Sequence, residues 1–526
     1  MQRRQFLLGA TAAVSARPAL AQPAVGGRGS KIVFVPQANL TSLDPVWTTA
    51  VVSRNHAGLV FETLFGRDEK LDPKPQMLEG FEVTDSGKRW TLKLREGLFF
   101  HDGEKVLARD CVASLNRWMK RDPIGATITA RLDALEVVDD RTFVFRLKKP
   151  FAPLAAALAK TQPSPVIMPE RIANTDPFKQ IPEVVGSGPF KFLAGEFVSG
   201  SFAAYQKFDK YTPRNEPVSF AAGGLRAMVD RVEWKIIPDA ATAANALANG
   251  EVDWVESPLP DLLPMLRKAN GVKVGVTDPF GVYGALRPNH LHGATANAGV
   301  RRAMLAAVDQ IEVMTAVMGT DTSNYHAPVG YFLPPSASDA GMDNVRKRRS
   351  VAEIKAMLKD AGYAGEKIVY MHPTDQTFYD AMSSVVVAAF RAVGLNIDEQ
   401  SMDWGTVVQR RTSKEPLEKG GWSMFPLGAP APEYRDPVFA GVMRSNGNSA
   451  WFGWPADEKL ESLREAWMDS TDPAERRRLD QEIQLQAFQS VPLIPLGQYL
   501  PPSAWRTNMT TPLSGAVPVF WNISKT

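Results

Sequence analysis

The chain has 526 residues, 44% of them hydrophobic and 22% charged, and carries a formal net charge of +3. That length exceeds one simple core, so two or three domains are expected, and the near-neutral balance gives no footing for nucleic acid. One cysteine, Cys111, excludes an internal disulfide and a cysteine-based zinc site, and no apolar run reaches the ~20 residues of a membrane-spanning helix.

The first segment, "MQRRQFLLGATAAVSARPALAQPA", runs from Arg3-Arg4 through a modest apolar stretch to Ala19-Leu20-Ala21. Charged, apolar, then small residues is the order of a cleaved export signal, and Arg-Arg-x-Phe-Leu resembles the twin-arginine class. Cleavage after Ala21 would remove Arg3, Arg4 and Arg17 with no acid, which brings +3 to neutral. Gln22 rather than cysteine comes directly after the site, so a lipid anchor is not expected. The mature chain is expected to be soluble and periplasmic.

The next informative stretch is "WTLKLREGLFFHDGEKVLARDCVASLNRW", Trp90 to Trp118. Trp90, Leu92 and Leu94 alternate on one face of a strand, and His101-Asp102-Gly103 makes a tight turn. A helix follows with Val112, Leu115 and Met119 on one face and Cys111 beside it. His101 has no partner at base or ligand spacing, so the turn reads as architecture rather than catalysis.

In the middle, "VEWKII" (232–237) alternates like a strand, Asp239 is placed to cap the helix "AATAANALA", and Asn249-Gly250 ends it. Strand "VDWV", helix "DLLPMLRKA" and strand "VKVGV" follow. That order predicts a parallel sheet with right-handed crossovers. His290 and His292 lie two apart, without a nearby acid or cysteine, and read as loop rather than metal site. Gly87-Lys88 would need glycine at 82 and Ser or Thr at 89 to be a phosphate loop, but Glu82 and Arg89 stand there. No nucleophile elbow or zinc-protease motif occurs, so neither a catalytic nor a metal site is expected, nor a cofactor.

A second α/β series begins at Ser350, the expected cap of "SVAEIKAMLKDAGY", with Ile354, Met357 and Leu358 inward and Gly362 as the stop. Strand "KIVYM", helix "FYDAMSSVVVAAFRAVG", strand "LNIDEQSM", helix "DWGTVVQRR" and strand "GWSMF" (421–425) follow. Two helices at 456–469 and 473–489 come next, Leu479, Ile483 and Ala487 sharing a face, before the extended "VPLIPLGQYL". Two α/β units facing one another make a natural cleft for a ligand.

Nine segments in order carry a resemblance: "LDPVWTT", "VFETLF", "GKRWTLKLREGLFFHDGEKVLARDCVASLNR", "VGSGPFKF", "ALANGEVDWV", "GVRRAMLAAVDQIEVMTAVMG", "KAMLKDAGY", "AVGLNID" and "VPLIPLG". Together they resemble the family 5 extracellular solute-binding proteins, the peptide- and nickel-type receptors of ABC importers. The resemblance implies a two-lobed periplasmic-binding-protein fold of type II, in the large peptide-receptor subclass, with an extra subdomain in the N-terminal lobe. The expected division is an N-terminal lobe at 22–285 with a subdomain about 60–180, a second lobe at 286–494, and a segment 495–526 returning to the first. A monomer that hands its solute to a membrane permease with its ATPase is expected. A peptide or peptide-like ligand leads, a non-peptide solute or metal chelate is second, and a periplasmic chaperone or sensor partner is third.

The resemblance also implies where the ligand sits. Asp403-Trp404 and Gly421-Trp422 match the family's aromatic positions, so Trp404 and Trp422 are expected to flank it, with Arg411 and Lys419 placed to meet a carboxylate. Peptide-binding relatives carry an aspartate three residues after that tryptophan, for the ligand's ammonium; here Phe425 stands there. The ligand end beside Phe425 is therefore expected to be uncharged or blocked, unless Glu433 or Asp436 folds back to take the ammonium.

Overall fold

The computed structural model describes residues 30–333, 336 and 338–526; the expected export signal at 1–21 lies outside them. Sheets of seven, six and four strands organise the described residues, beside two short two-stranded ribbons. No helix among them is long and apolar enough to cross a membrane.

At the centre of the seven-stranded sheet is Lys31–Val35, parallel to Arg231–Lys235 on one side and to Trp254–Val255 on the other. Its side chains alternate as a strand dictates. Phe34 meets Trp234, Trp254 and Phe520 at ring separations of 5.4, 4.9 and 5.1 Å. Val33 and Val35 point the other way, into the core lined by Ala243, Ala244 and Leu247 of helix Ala240–Ala248. Asp239 caps that helix as expected, accepting from the Thr242 N–H at 2.7 Å.

The three strands expected between 232 and 276 form, but they are not neighbours. The N-terminal strand lies between the first two, and Ser503–Arg506 inserts antiparallel between Trp254–Val255 and Val272–Gly275. The sheet is mixed rather than parallel. Hydrophobic period identifies a strand and its buried face; it does not say which strand lies alongside.

The six-stranded sheet runs Tyr325–His326, Ile494–Tyr499, Val282–Pro288, Met424–Pro430, Ile368–Pro373, Ile397–Met402. Ser350 and Glu353 form the reciprocal cap of helix Val351–Asp360, at 2.7 and 3.2 Å. The strand expected at 421–425 starts later, at Met424. The boundaries expected at 285 and 494 fall inside or at the start of strands of this second sheet. The chain instead passes between the two large sheets at 276–281 and again at 500–502.

The four-stranded antiparallel sheet joins Leu78–Thr84, Arg89–Leu94, Thr142–Leu147 and Leu132–Val137. Trp90, Leu92 and Leu94 are buried, as are Cys111, Leu115 and Met119 of helix Ala108–Met119, while Val112 is only half-buried. The Arg117 guanidinium of that helix meets Asp44 at 2.7 and 3.1 Å, both side chains wholly buried. His101 is buried at its turn, its Nε2–H donating to the Gly188 carbonyl at 3.0 Å and its ring against Phe208.

Burial holds His101 down at about 4 and His56 at about 3, far below the ordinary 6.5. Above pH 6.5 both states leave these rings neutral; as pH falls toward 4 the unfolded chain binds protons the native chain refuses, so native stability drops. His101→Gln keeps a donor for Gly188 and should remove about 3 kcal/mol of that acid-side loss. Urea unfolding of both proteins at steps from pH 7 to pH 4 would check it.

Candidate functional site

Between the two large sheets lies a cavity of about 450 Å³. One wall comes from the first lobe: Arg54 on helix Val51–Val60, and Glu256 to Leu259 after strand Trp254–Val255. The opposite wall is Asp375 to Tyr379 and Gly428 to Pro430 of the second lobe. Both connecting segments form the floor, through Asp278, Gly281 and Pro501, with Tyr499 beside them.

The lining mixes apolar residues with polar groups, and those polar groups are held. Gln37 N–H and the Asn55 amide donate to the two oxygens of Glu256 at 2.8 and 2.7 Å. Asp278 accepts from Phe280 N–H at 2.9 Å, and Asp375 from Trp404 N–H at 2.8 Å. Burial pushes the Glu256 and Asp278 carboxyls above the usual range. Burial likewise lowers Arg54, against the opposing pull of Asp278, Glu256 and Glu433.

Tyr379, Tyr499 and Phe378 give the cavity its aromatic surface. The Tyr379 hydroxyl accepts from Gly428 N–H at 3.2 Å, and a side chain at Gly428 would meet the hydroxyls of Tyr379 and Tyr499 at 3.2 Å. Glycine there leaves room for both rings beside the strand. Tyr379 rests on Trp404, ring centres 4.8 Å apart, and Tyr499 on Phe378 at 5.1 Å.

None of the six side chains expected from the sequence lines this cavity. Trp404 is half-buried behind Tyr379 and supports it. Trp422 is 1% exposed, its indole N–H donating to the Ser413 carbonyl at 3.2 Å, with Phe425 and Trp454 against its faces. Phe425 is fully buried against Trp451. Arg411 lies over Trp404, Trp451 and Phe452 at 5.7, 5.2 and 5.0 Å, a cation packed on aromatic faces. Lys419 is exposed on the turn Leu417–Lys419. Trp404 and Trp422 thus belong to the aromatic interior of the second lobe rather than flanking one space.

Glu433 comes nearest the expectation. It sits half-buried on the turn Ala431–Tyr434, raised by burial, with the charges of Lys160, Arg54 and Arg67 reaching it from the first lobe. Asp436 is raised for the same reason, beside Arg435 and Arg67. Sequence reasoning missed Arg54, Tyr379, Gly428 and Tyr499. The available signal was the polar run Ser53-Arg54-Asn55-His56 between the apolar ends of "VVSRNHAGLV".

Ion pairs also join the two lobes, outside the cavity's lining. Arg435 meets Asp72 at 2.5 Å, and Arg131 meets Glu465 and Asp469 at 2.7 Å each, with Lys149 pairing to both acids. These pairs hold the two lobes together.

Residues 72–451 match the family described as bacterial extracellular solute-binding proteins, family 5 middle. A "Probable peptide ABC transporter periplasmic-binding protein" of Sinorhizobium fredii is 36% identical over 524 residues, 98% of each chain. In fold, the chain is similar to the periplasmic binding protein DppA of Helicobacter pylori, solved with the peptide STSA: TM-score 0.76, 20% identity, 94% of this chain and 98% of that one. It is also similar to NikA of Brucella suis, solved with Fe(III)-EDTA: TM-score 0.77, 21% identity, 94% and 100% covered. The chain belongs to family 5 of the bacterial extracellular solute-binding proteins, and it is a two-lobed solute receptor.

Because Trp422 is core, Trp422→Ala should cost about 3–5 kcal/mol of stability. Tyr379→Ala should cost far less stability and weaken ligand binding instead. Denaturant unfolding of the two variants beside ligand titration separates these roles.

Proposed function

We propose, from that membership and from the cavity at the hinge, that the protein is the periplasmic receptor of an ABC importer, closing two lobes over a peptide or peptide-like solute. It then presents the closed form to the permease and its ATPase. The observation that carries the ligand class is the cavity itself. Its volume falls in the range of ~300–1,000 Å³ typical of small-ligand sites. Its wall carries Arg54 together with the acids Glu256, Asp278 and Asp375, and two tyrosine faces. A short peptide offers charge of both signs and apolar side chains, which suits that wall. The Sinorhizobium fredii relative, named for peptide transport, supports the same reading.

Phe425 has no part in this reading of the ligand's ends, since it is sealed in the second lobe. Free and N-acetylated peptides are therefore both fair probes. A short peptide that binds should raise the melting temperature, by mass action, and reduce the radius of gyration in solution scattering. An unchanged radius with binding proved by calorimetry would count against closure. Gly428→Leu should abolish binding by filling the cavity. Replacing Glu465 by Gln and Asp469 by Asn together should weaken binding about three- to tenfold by loosening the closed form.

Export is proposed through the twin-arginine route, with cleavage after Ala21. Arg3→Lys with Arg4→Lys should stop periplasmic accumulation, and the mature N-terminus should read from Gln22.

A further inference from the structure

Arg54 is the one cation among the described residues that line the cavity. It also lines a smaller adjoining pocket of about 80 Å³ beside Glu62, Arg67 and Lys160. The other two cations of that pocket are engaged. Lys160 meets Asp122 at 2.6 Å, and Arg67 donates to the carbonyls of Ala159 and Ala156 at 3.0 and 3.3 Å. Arg54 is not: its guanidinium makes one long hydrogen bond, 3.4 Å to the Asn55 side chain, and its buried Nε–H finds no partner. It forms no ion pair among the described residues.

A guanidinium has five N–H donors in a planar fork, and leaving them unmet away from water is costly. Nearby acids do not meet them. The Glu256 carboxylate is taken up by Gln37 and Asn55, and Asp278 by the Phe280 N–H. We propose that Arg54 is the anion anchor of the cleft, receiving a carboxylate of the ligand in a charge-assisted, fork-like pair from the first lobe. This rests on the peptide reading above and deepens it: the ligand is bound by a free carboxyl end, and the contact comes from helix Val51–Val60 rather than from Arg411 or Lys419. Arg411 also has a buried Nε–H without a partner, but neither it nor Lys419 lines the cavity. Arg411 is stacked among three rings, and Lys419 is out on the surface.

The test passes a randomised tripeptide library, as free acids and as C-terminal amides, over the full-length mature protein. Retained peptides are identified by mass spectrometry and the best are titrated by calorimetry, on wild type, Arg54→Gln and Arg54→Lys. The wild type is expected to bind free acids at least ~30-fold more tightly than the matching amides. That preference should collapse in Arg54→Gln and return in part in Arg54→Lys. Equal binding of acids and amides by the wild type would overturn the anchor while leaving the peptide reading intact, as would a preference that survives in Arg54→Gln. Should either variant fail to fold, equal binding of acids and amides by the wild type would still overturn the anchor. Retention of neither library would overturn the peptide reading and the anchor together.

Discussion

The structure turns on two chain crossings that run side by side. Gly275 pairs with Ser503 at the edge of the first sheet, and Val282 pairs with Tyr499 at the start of the second. Between those pairs only residues 276–281 and 500–502 connect the lobes. Two short, adjacent strands of chain cannot let the lobes drift apart, but they permit rotation about a common line. The close approach is visible at Gly281, which has φ +58° and would place a Cβ 2.2 Å from the Tyr499 carbonyl oxygen. No other residue fits there without moving the neighbouring strand. Asp278, Gly281, Tyr499 and Pro501 are at once hinge and cavity floor, so a solute on that floor touches the very residues that set the angle between lobes.

Buried charge is handled in two ways, and the difference marks the site. Arg117 is neutralised by Asp44, and Arg287 is wrapped by the carbonyls of Val442, Trp451, Phe452 and Pro492 at 2.5–3.0 Å. Each is complete within its own lobe and serves to hold loops in place: Asp44 fixes the segment leading into helix Val51–Val60, and Arg287 fixes the aromatic segment that packs on Trp422 and Phe425. Arg54 lacks any such closure, as expected of a group whose partner arrives from outside. The second lobe's tryptophans stand one layer further back. Trp404 sets the position of Tyr379, and through it the wall of the cavity.

Much of the local structure was legible. Asp239 and Ser350 cap helices because a short polar side chain ahead of an apolar run meets free N–H groups. Trp90, Leu92 and Leu94 turn inward because a strand alternates. His101 is architectural because it sits in a tight turn, its ring bonding the Gly188 carbonyl and packing on Phe208. The six proposed ligand residues fared differently. Trp404, Trp422 and Phe425 were read as lining from resemblance alone, and a tryptophan in sequence looks the same whether it faces a cleft or a core.

The sequence by itself determined the elements, their buried faces, the caps that bound them and, by nine ordered segments, the family. These are properties of neighbours a few residues apart, set by period, capping and turn chemistry. Only the tertiary structure decided that Lys31–Val35 and Ser503–Arg506 interleave with strands 200 residues away. The same holds for the lobe crossings at 276–281 and 500–502, and for the meeting of Arg54, Asp278, Tyr379 and Tyr499 around one space. Those outcomes depend on which strand edges pair and which side chains are left without a partner once everything else has packed, and no local pattern records either.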